Sequence, residues 1–188
     1  MSDLAQVKAD ARKAAFARRK TAHAAAGPGA SALLSEVLAG YRGMPLSGYM
    51  PIRTEIDPLP AMAEAAAHGP VGVPVIQGAG QPLLFSRWEP DAPMKEGPFG
   101  ALIPARDDFF EPEIVIVPLV AFDGQGGRLG YGGGFYDRTL ELLRARRATL
   151  AIGFAFAAQE AEALPLEPTD QPLDMIVTER DVRQFARR

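Results

Sequence analysis

Ile114-Val115-Ile116-Val117 is an unbroken apolar run closed by Pro118. A strand with one wet face alternates apolar and polar residues. A run without alternation belongs to a strand covered on both faces, as parallel strands flanked by helices are. The residues that follow tighten the constraint. Between Phe122 and Arg138 stand Gly124, Gly126, Gly127, Gly130, Gly132, Gly133 and Gly134, and helical spacing resumes directly afterwards with Tyr136, Leu140 and Leu143. Buried strand, glycine-rich turn and helix form a unit of an α/β sheet, in which ligands bind beyond the carboxyl ends of the strands.

The rest of the chain repeats that alternation. Ser2 and Asp3 cap a helix that runs to about Ala26, where Gly27-Pro28-Gly29 stops it. Ser31 caps a second helix through Leu38, with Gly40 just past its end. Leu46 to Ile52 reads as a strand, and Asp57-Pro58 opens a helix that closes at His68-Gly69. Val71 to Ile76 is a β-branched strand, followed through Gly78-Ala79-Gly80 by an antiparallel excursion around Leu83 to Trp88. Glu89 to Asp108, rich in Pro, Gly and charge, reads as a long surface connection. Strands at Leu150 to Phe154 and Asp174 to Val177 come next, and Thr178 with Asp181 makes a capping box for a terminal helix. At 188 residues and 47% hydrophobic, the chain has the material for one α/β domain, residues 1–188, with a mostly parallel sheet, rather than for two domains.

Composition removes several function classes. There is no Cys, hence no disulfide framework, thiolate nucleophile or cysteine zinc site, and a cytoplasmic protein is the straightforward reading. His23 and His68 are the only histidines, too few for a histidine-rich metal site. The net charge of -3 supplies no global field for a polyanion, and although Arg18, Arg19 and Lys20 cluster, no aromatic stacking platform stands beside them; a nucleic-acid partner is not expected. No apolar run approaches a membrane span. The Ala- and Arg-rich start faintly resembles a transit peptide, but Asp3 and Asp10 argue against one.

Two readings of the glycine-rich segment stand side by side. It is either a loop that needs many positive φ angles, or an anion cradle in which backbone amides and the following helix end approach a ligand. It matches neither GxxxxGK[ST] nor GxGxxG. Arg128 would supply a charge-assisted phosphate contact, and Asp137, at the helix start, is either a capping group or a ligand for a hard cation. Asp123 is a second candidate, while Asp170 and Asp174 lie in a turn-rich stretch where simple turn chemistry competes. Lys8, Arg12 and Arg19 share one helical stripe, which is either a solvated face or a phosphate-contacting one.

The string VPLVAFDGQGGRLGYGGGFYDR resembles the 5-formyltetrahydrofolate cyclo-ligase family, whose pattern is a buried strand, proline, AFD and RLGYGxGYYDR. KADAR, YMPIRTEID, VGVPVI, FGALIP, IGFAFAAQ and EPTDQPLDMIVTE support the resemblance in order along the chain. It implies a three-layer fold with helices on both faces of the sheet, similar to isomerase and CoA-transferase-like proteins. It also implies an ATP- and Mg²⁺-dependent reaction on 5-formyltetrahydrofolate, through a phosphorylated formyl group; nothing in the sequence calls for more than a monomer. By position, Lys8 and Arg12 would meet ATP phosphates. Arg128, Leu129, Gly130, Tyr131, Gly132, Gly133, Gly134, Phe135 and Tyr136 would wrap the nucleotide, with Arg128 catalytic. Met50 and Glu55 would line the folate site together with Tyr131 to Phe135, and Asp137 and Asp170 would hold Mg²⁺. The competing class is a non-catalytic nucleotide- or sugar-phosphate-binding protein on the same fold. Some positions depart from the family pattern. Phe135 stands where it has tyrosine, Gly133 where lysine is frequent, Leu119 where glycine follows the proline, Thr169 where histidine precedes the aspartate, and Ile103 where an acidic residue precedes Pro104.

Overall fold

The computed structural model describes residues 3–186; Ser2, read above as part of the first cap, lies outside them. In chain order the elements are α1 (Asp3–Ala25), α2 (Ala32–Ala39), β1 (Leu46–Ser47), α3 (Leu59–Ala66), β2 (Val71–Val75) and β3 (Leu84–Arg87). There follow β4 (Met94–Glu96), β5 (Leu102–Pro104), β6 (Phe109–Phe110), β7 (Ile114–Val117), β8 (Ala121–Phe122) and β9 (Arg128–Leu129). The chain ends with α4 (Phe135–Arg146), β10 (Leu150–Phe154), β11 (Met175–Val177) and β12 (Val182–Gln184).

Eight strands form one sheet in the order β12-β11-β10-β7-β1-β2-β3-β6. The central five, β11 to β2, are parallel, and the flanking strands are antiparallel, so the sheet is mixed and mostly parallel. The apolar run divides by parity between two cores. Ile114 and Ile116 pack with Leu34, Leu38 and Met62 of α2 and α3, whereas Val115 and Val117 pack with Leu140 and Leu143 of α4. β10 repeats the division, with Ile152 and Phe154 on the first side and Ala151 on the second. Helices cover both faces, the expected three layers. Each fully buried Val or Ile contributes roughly 1.5–3 kcal/mol, and a slip of one residue would exchange the two faces, so the register is tightly held.

Four expectations need correction. The terminal helix is a strand, β12. Thr178 Oγ1 accepts from the Asp181 amide at 3.0 Å, the first bond of a capping box, but the reciprocal one is not made: Oγ1 donates to Asp181 Oδ1 at 2.7 Å and the Thr178 amide donates to the Asp181 backbone carbonyl at 2.9 Å, closing a turn into the free edge of β11. Side-chain-to-backbone bonds of this kind serve a turn as well as a helix start. The 89–108 connection holds a small hairpin, β4 against β5, with Met94 opposite Pro104. The strand expected from Leu46 to Ile52 is only two residues long, because the chain leaves the sheet after Ser47. Ser31 occupies the cap position of α2 but makes no side-chain cap bond, while Asp57 does cap α3, accepting from the Leu59 amide at 2.9 Å.

Candidate functional site

Strand order reverses between β1 and β7: from β1 the chain proceeds to β2 on one side, and from β7 to β10 and β11 on the other. Ligands of open α/β sheets bind at such a switch point. Glu55 lies on the segment leaving the carboxyl end of β1, and the glycine-rich segment leaves the carboxyl end of β7.

That segment is a hairpin followed by a loop. β8 pairs with β9 across a turn in which Asp123 Oδ1 accepts from the amides of Gln125 (2.9 Å) and Gly127 (2.8 Å). Asp123 thus holds the turn together. Gly132 and Gly134 both have positive φ, +100° and +71°, which L side chains adopt only under strain, and Gly134 leads into α4 with no side-chain cap. The loop is therefore strained at these two positions for any residue but glycine, and the start of α4 has no side-chain cap.

Charged side chains gather around it. Arg128, buried, donates through Nη2 to Asp137 Oδ1 at 2.8 Å, and its Nε is buried without a partner. Asp137 Oδ1 also accepts from the Gln171 amide at 2.9 Å, which ties α4 to the stretch holding Asp170. Asp170 Oδ2 accepts from the Glu167 amide at 2.7 Å and pairs with Lys8 at 3.4 Å. Burial disfavours the Lys8 charge, but Glu167 and Asp170 outweigh it and raise its pKa. Arg12 Nε donates to the Gly130 carbonyl at 2.8 Å, and a Cβ on Gly132 would stand 3.4 Å from its guanidinium. A cleft of about 170 Å³ opens here, lined by Asp123, Arg128, Asp170 and Gln171 among others. A larger cleft, about 870 Å³, lies between the second half of α1 and Phe156, Glu179 and Arg180; it contains none of the expected site residues. Chemistry rather than volume marks the site.

The other half surrounds Glu55, which is 5% exposed. Tyr131 donates its hydroxyl to Glu55 Oε1 at 3.2 Å and accepts from Arg19 Nη1 at 2.7 Å. Burial pushes the Glu55 carboxyl up to about 7, against the opposing pull of Arg19 and Tyr131. Burial and the neighbouring Glu55 push Tyr131 up to about 12. Tyr136 also moves up through burial, and its hydroxyl has no partner.

The structure thus brings Arg12 and Asp137, with Arg128, onto the glycine-rich loop, with Lys8 paired to Asp170 beside it, and brings Glu55 to Tyr131 of the same loop. The side chains of two expected residues also take part in packing. Leu129 spends its side chain in the core beneath α1, beside Ala15 and Val120, so only its backbone is available to a ligand. Met50 packs partly buried against the core under α2 and α3. The solvated reading of the α1 stripe fails, because Arg19 is 0% exposed and shares its face with buried Ala15. Arg138, which donates to the Gly133 carbonyl at 2.8 Å, closes the FYDR string, and Gln171 lies in EPTDQPLD, but neither string by itself says what these side chains meet. Arg19 stands out in the sequence through its spacing from Lys8 and Arg12 and its place in the Arg18-Arg19-Lys20 cluster, neither of which points to Tyr131.

The model of the 5-formyltetrahydrofolate cyclo-ligase family matches residues 6–179. A Haemophilus influenzae protein named 5-formyltetrahydrofolate cyclo-ligase is 45% identical over 101 residues, 50% of this chain and 54% of that protein, so the match spans about half the length of that curated relative. A Mycolicibacterium smegmatis protein of the same name is 28% identical over 185 residues, covering 91% of this chain and 93% of its own. Among solved structures, Aquifex aeolicus 5,10-methenyltetrahydrofolate synthetase superposes with a TM-score of 0.72 at 28% identity, covering 95% of this chain and 92% of that one.

Proposed function

From the premise that this chain belongs to the 5-formyltetrahydrofolate cyclo-ligase family, we propose that it closes 5-formyltetrahydrofolate to 5,10-methenyltetrahydrofolate with ATP as co-substrate. The formyl oxygen attacks the γ-phosphorus, the bond to ADP breaks, and an iminium phosphate results. Nitrogen 10 then adds to the activated carbon and loses its proton, and inorganic phosphate departs with the former formyl oxygen. Such a reaction asks the protein for positioning and charge stabilisation rather than for a nucleophile, which suits a chain without Cys.

The observation that carries this reading is the convergence of Lys8, Arg12 and Arg128 on one glycine-rich loop beside Asp137 and Asp170. Arg128 meets the transferring phosphoryl group, and its unpartnered Nε leaves a donor for it. Lys8 and Arg12 bind the remaining phosphates, and the backbone from Arg128 to Tyr136 wraps the nucleotide. Glu55, Met50 and residues 131–135 take the folate.

The donor set fits Mg²⁺. Asp137 engages Oδ1 and Asp170 engages Oδ2 in the bonds described above, and among the described residues no group of three or more His, Cys, Asp or Glu could hold a metal ion. Mg²⁺ takes one or two carboxylates and completes its shell with phosphate oxygens and water. When bound, it would neutralise charge on the phosphate oxygens. The same reading makes the chain a one-domain, monomeric, cytoplasmic enzyme without a nucleic-acid partner. Among the described residues no helix is long and apolar enough to cross a membrane.

The test is direct: protein, Mg·ATP and 5-formyltetrahydrofolate should generate the ultraviolet band of the methenyl product, and omission of ATP should abolish it. A flat absorbance with ATP bound would favour the non-catalytic nucleotide-binding alternative.

A further inference from the structure

Arg19 and Glu55 are both sealed from solvent, and each leaves one atom without a partner, Nη2 of Arg19 and Oε2 of Glu55. Tyr131 stands between them. A guanidinium offers donors only. The Tyr131 oxygen must therefore accept from Arg19 Nη1, and the single phenolic proton is directed at Glu55 Oε1. This fixes the direction of the chain from Arg19 through Tyr131 to Glu55. An oxygen already accepting from a phenol is the poorer place for a carboxyl proton, so a protonated Glu55 carries its proton on Oε2. A buried, unpaired carboxyl oxygen is costly unless a ligand meets it.

The Arg19 guanidinium is itself rigidly held. It donates to Thr54 Oγ1 at 3.0 Å and to the Leu119 carbonyl at 3.4 Å, and it lies 5.0 Å and 5.5 Å from the ring centroids of Phe16 and Tyr131. Arg53, beside Glu55, has a φ of +53°, and its guanidinium also faces the Tyr131 ring, at 5.9 Å. Strained non-glycine backbone of this kind clusters at binding sites.

We propose that Arg19 is a positioning residue of the folate site: acting through Tyr131, it confines the exchangeable proton of Glu55 to Oε2 and so presents that oxygen, as donor or acceptor according to pH, to the polar edge of the substrate ring. The identity of the substrate rests on the function proposed above; the ordering of the network does not. The groups facing Glu55 are Arg19 from α1, Arg53 and Tyr49 from its own segment, and Tyr131 and Tyr136 from the glycine-rich loop and the start of α4.

Carboxyl NMR of Glu55 in the ligand-free protein tests this without turnover. Wild type should titrate near pH 7. Arg19→Gln and Tyr131→Phe should each raise the midpoint by a unit or more, a tenfold change in proton affinity, and Arg19→Lys should restore it in part, because an ammonium returns the charge but not the fork that holds Tyr131 and Thr54. The acid limb of kcat/KM for folate should move with the midpoint, and in Arg19→Gln the KM for ATP should stay fixed. A merely structural Arg19 would lower stability and leave the midpoint in place. Unmoved midpoints in folded variants overturn the proposal. Should Arg19→Gln fail to fold, Tyr131→Phe decides alone, since it removes the intermediate donor and keeps the ring. Shifted midpoints in a protein without folate turnover would leave the network standing and remove the function proposed above.

Discussion

Replacing Glu55 by Gln should stabilise the protein in alkaline solution and hardly at all in acid. The carboxyl titrates at about 7 in the fold against 4.5 for the free side chain, chiefly because burial disfavours its charge. Between those values the folded chain holds a proton that the unfolded chain has released. The resulting stability is fully present below about pH 4.5 and is lost as pH rises through about 7. A displacement of about 2.5 pH units at about 1.36 kcal/mol each amounts to about 3 kcal/mol. Gln keeps an oxygen to accept from Tyr131 and carries no charge, so its stability lacks this pH dependence. At pH 8 it should exceed wild type by up to about 3 kcal/mol, or about 6–12 °C in Tm for a chain of this size; near pH 4.5 the two should nearly coincide. Urea unfolding at half-unit steps from pH 4.5 to 8 measures the difference. A difference that stays constant across that range would refute the reasoning, because it would mean that Glu55 is already charged, or already solvated, in the folded state.

Arg128→Ala should cut turnover about 100- to 1000-fold, the worth of one strong transition-state donor, with Arg128→Lys recovering little because an ammonium cannot hold Asp137 through one nitrogen and keep a second, fixed donor open; near-normal turnover in the alanine variant would remove Arg128 from the chemistry. Asp137→Asn and Asp170→Asn should each raise the Mg²⁺ concentration needed for half-maximal activity with an unchanged circular dichroism spectrum, and if only Asp137→Asn does so, Asp170 reverts to pairing with Lys8 and the Glu167 amide. Lys8→Ala and Arg12→Ala should each raise the KM for ATP by about 10- to 100-fold, as expected for a lost charge-assisted hydrogen bond, while the KM for folate stays put; an unchanged ATP KM would make both residues fasteners of α1 alone.

The features that were legible in the sequence are those whose cause is local. Four consecutive β-branched residues at Ile114 to Val117 state by themselves that both faces of their strand are covered, and the parity split between two cores follows. Glycines with positive φ at 132 and 134 must be glycines wherever the loop lies. Asp57-Pro58 caps α3 through a bond two residues long. What local chemistry leaves open, a distant partner decided. Thr178 Oγ1 accepts from the Asp181 amide in a helix cap and in this turn alike, and only the free edge of β11 selected the strand. Met94 to Glu96 is a strand because Leu102 to Pro104 lies beside it. The charged stripe of α1 has one spacing whether it faces water or the interior. It faces inward because Ala15 fits over Val120, Ala121 and Leu129, and because Thr54, Leu119 and Tyr131, none within 30 residues of Arg19, supply the acceptors that let a guanidinium be buried. Propensity acts over a few residues, and burying a charge requires partners that only the tertiary fold can bring.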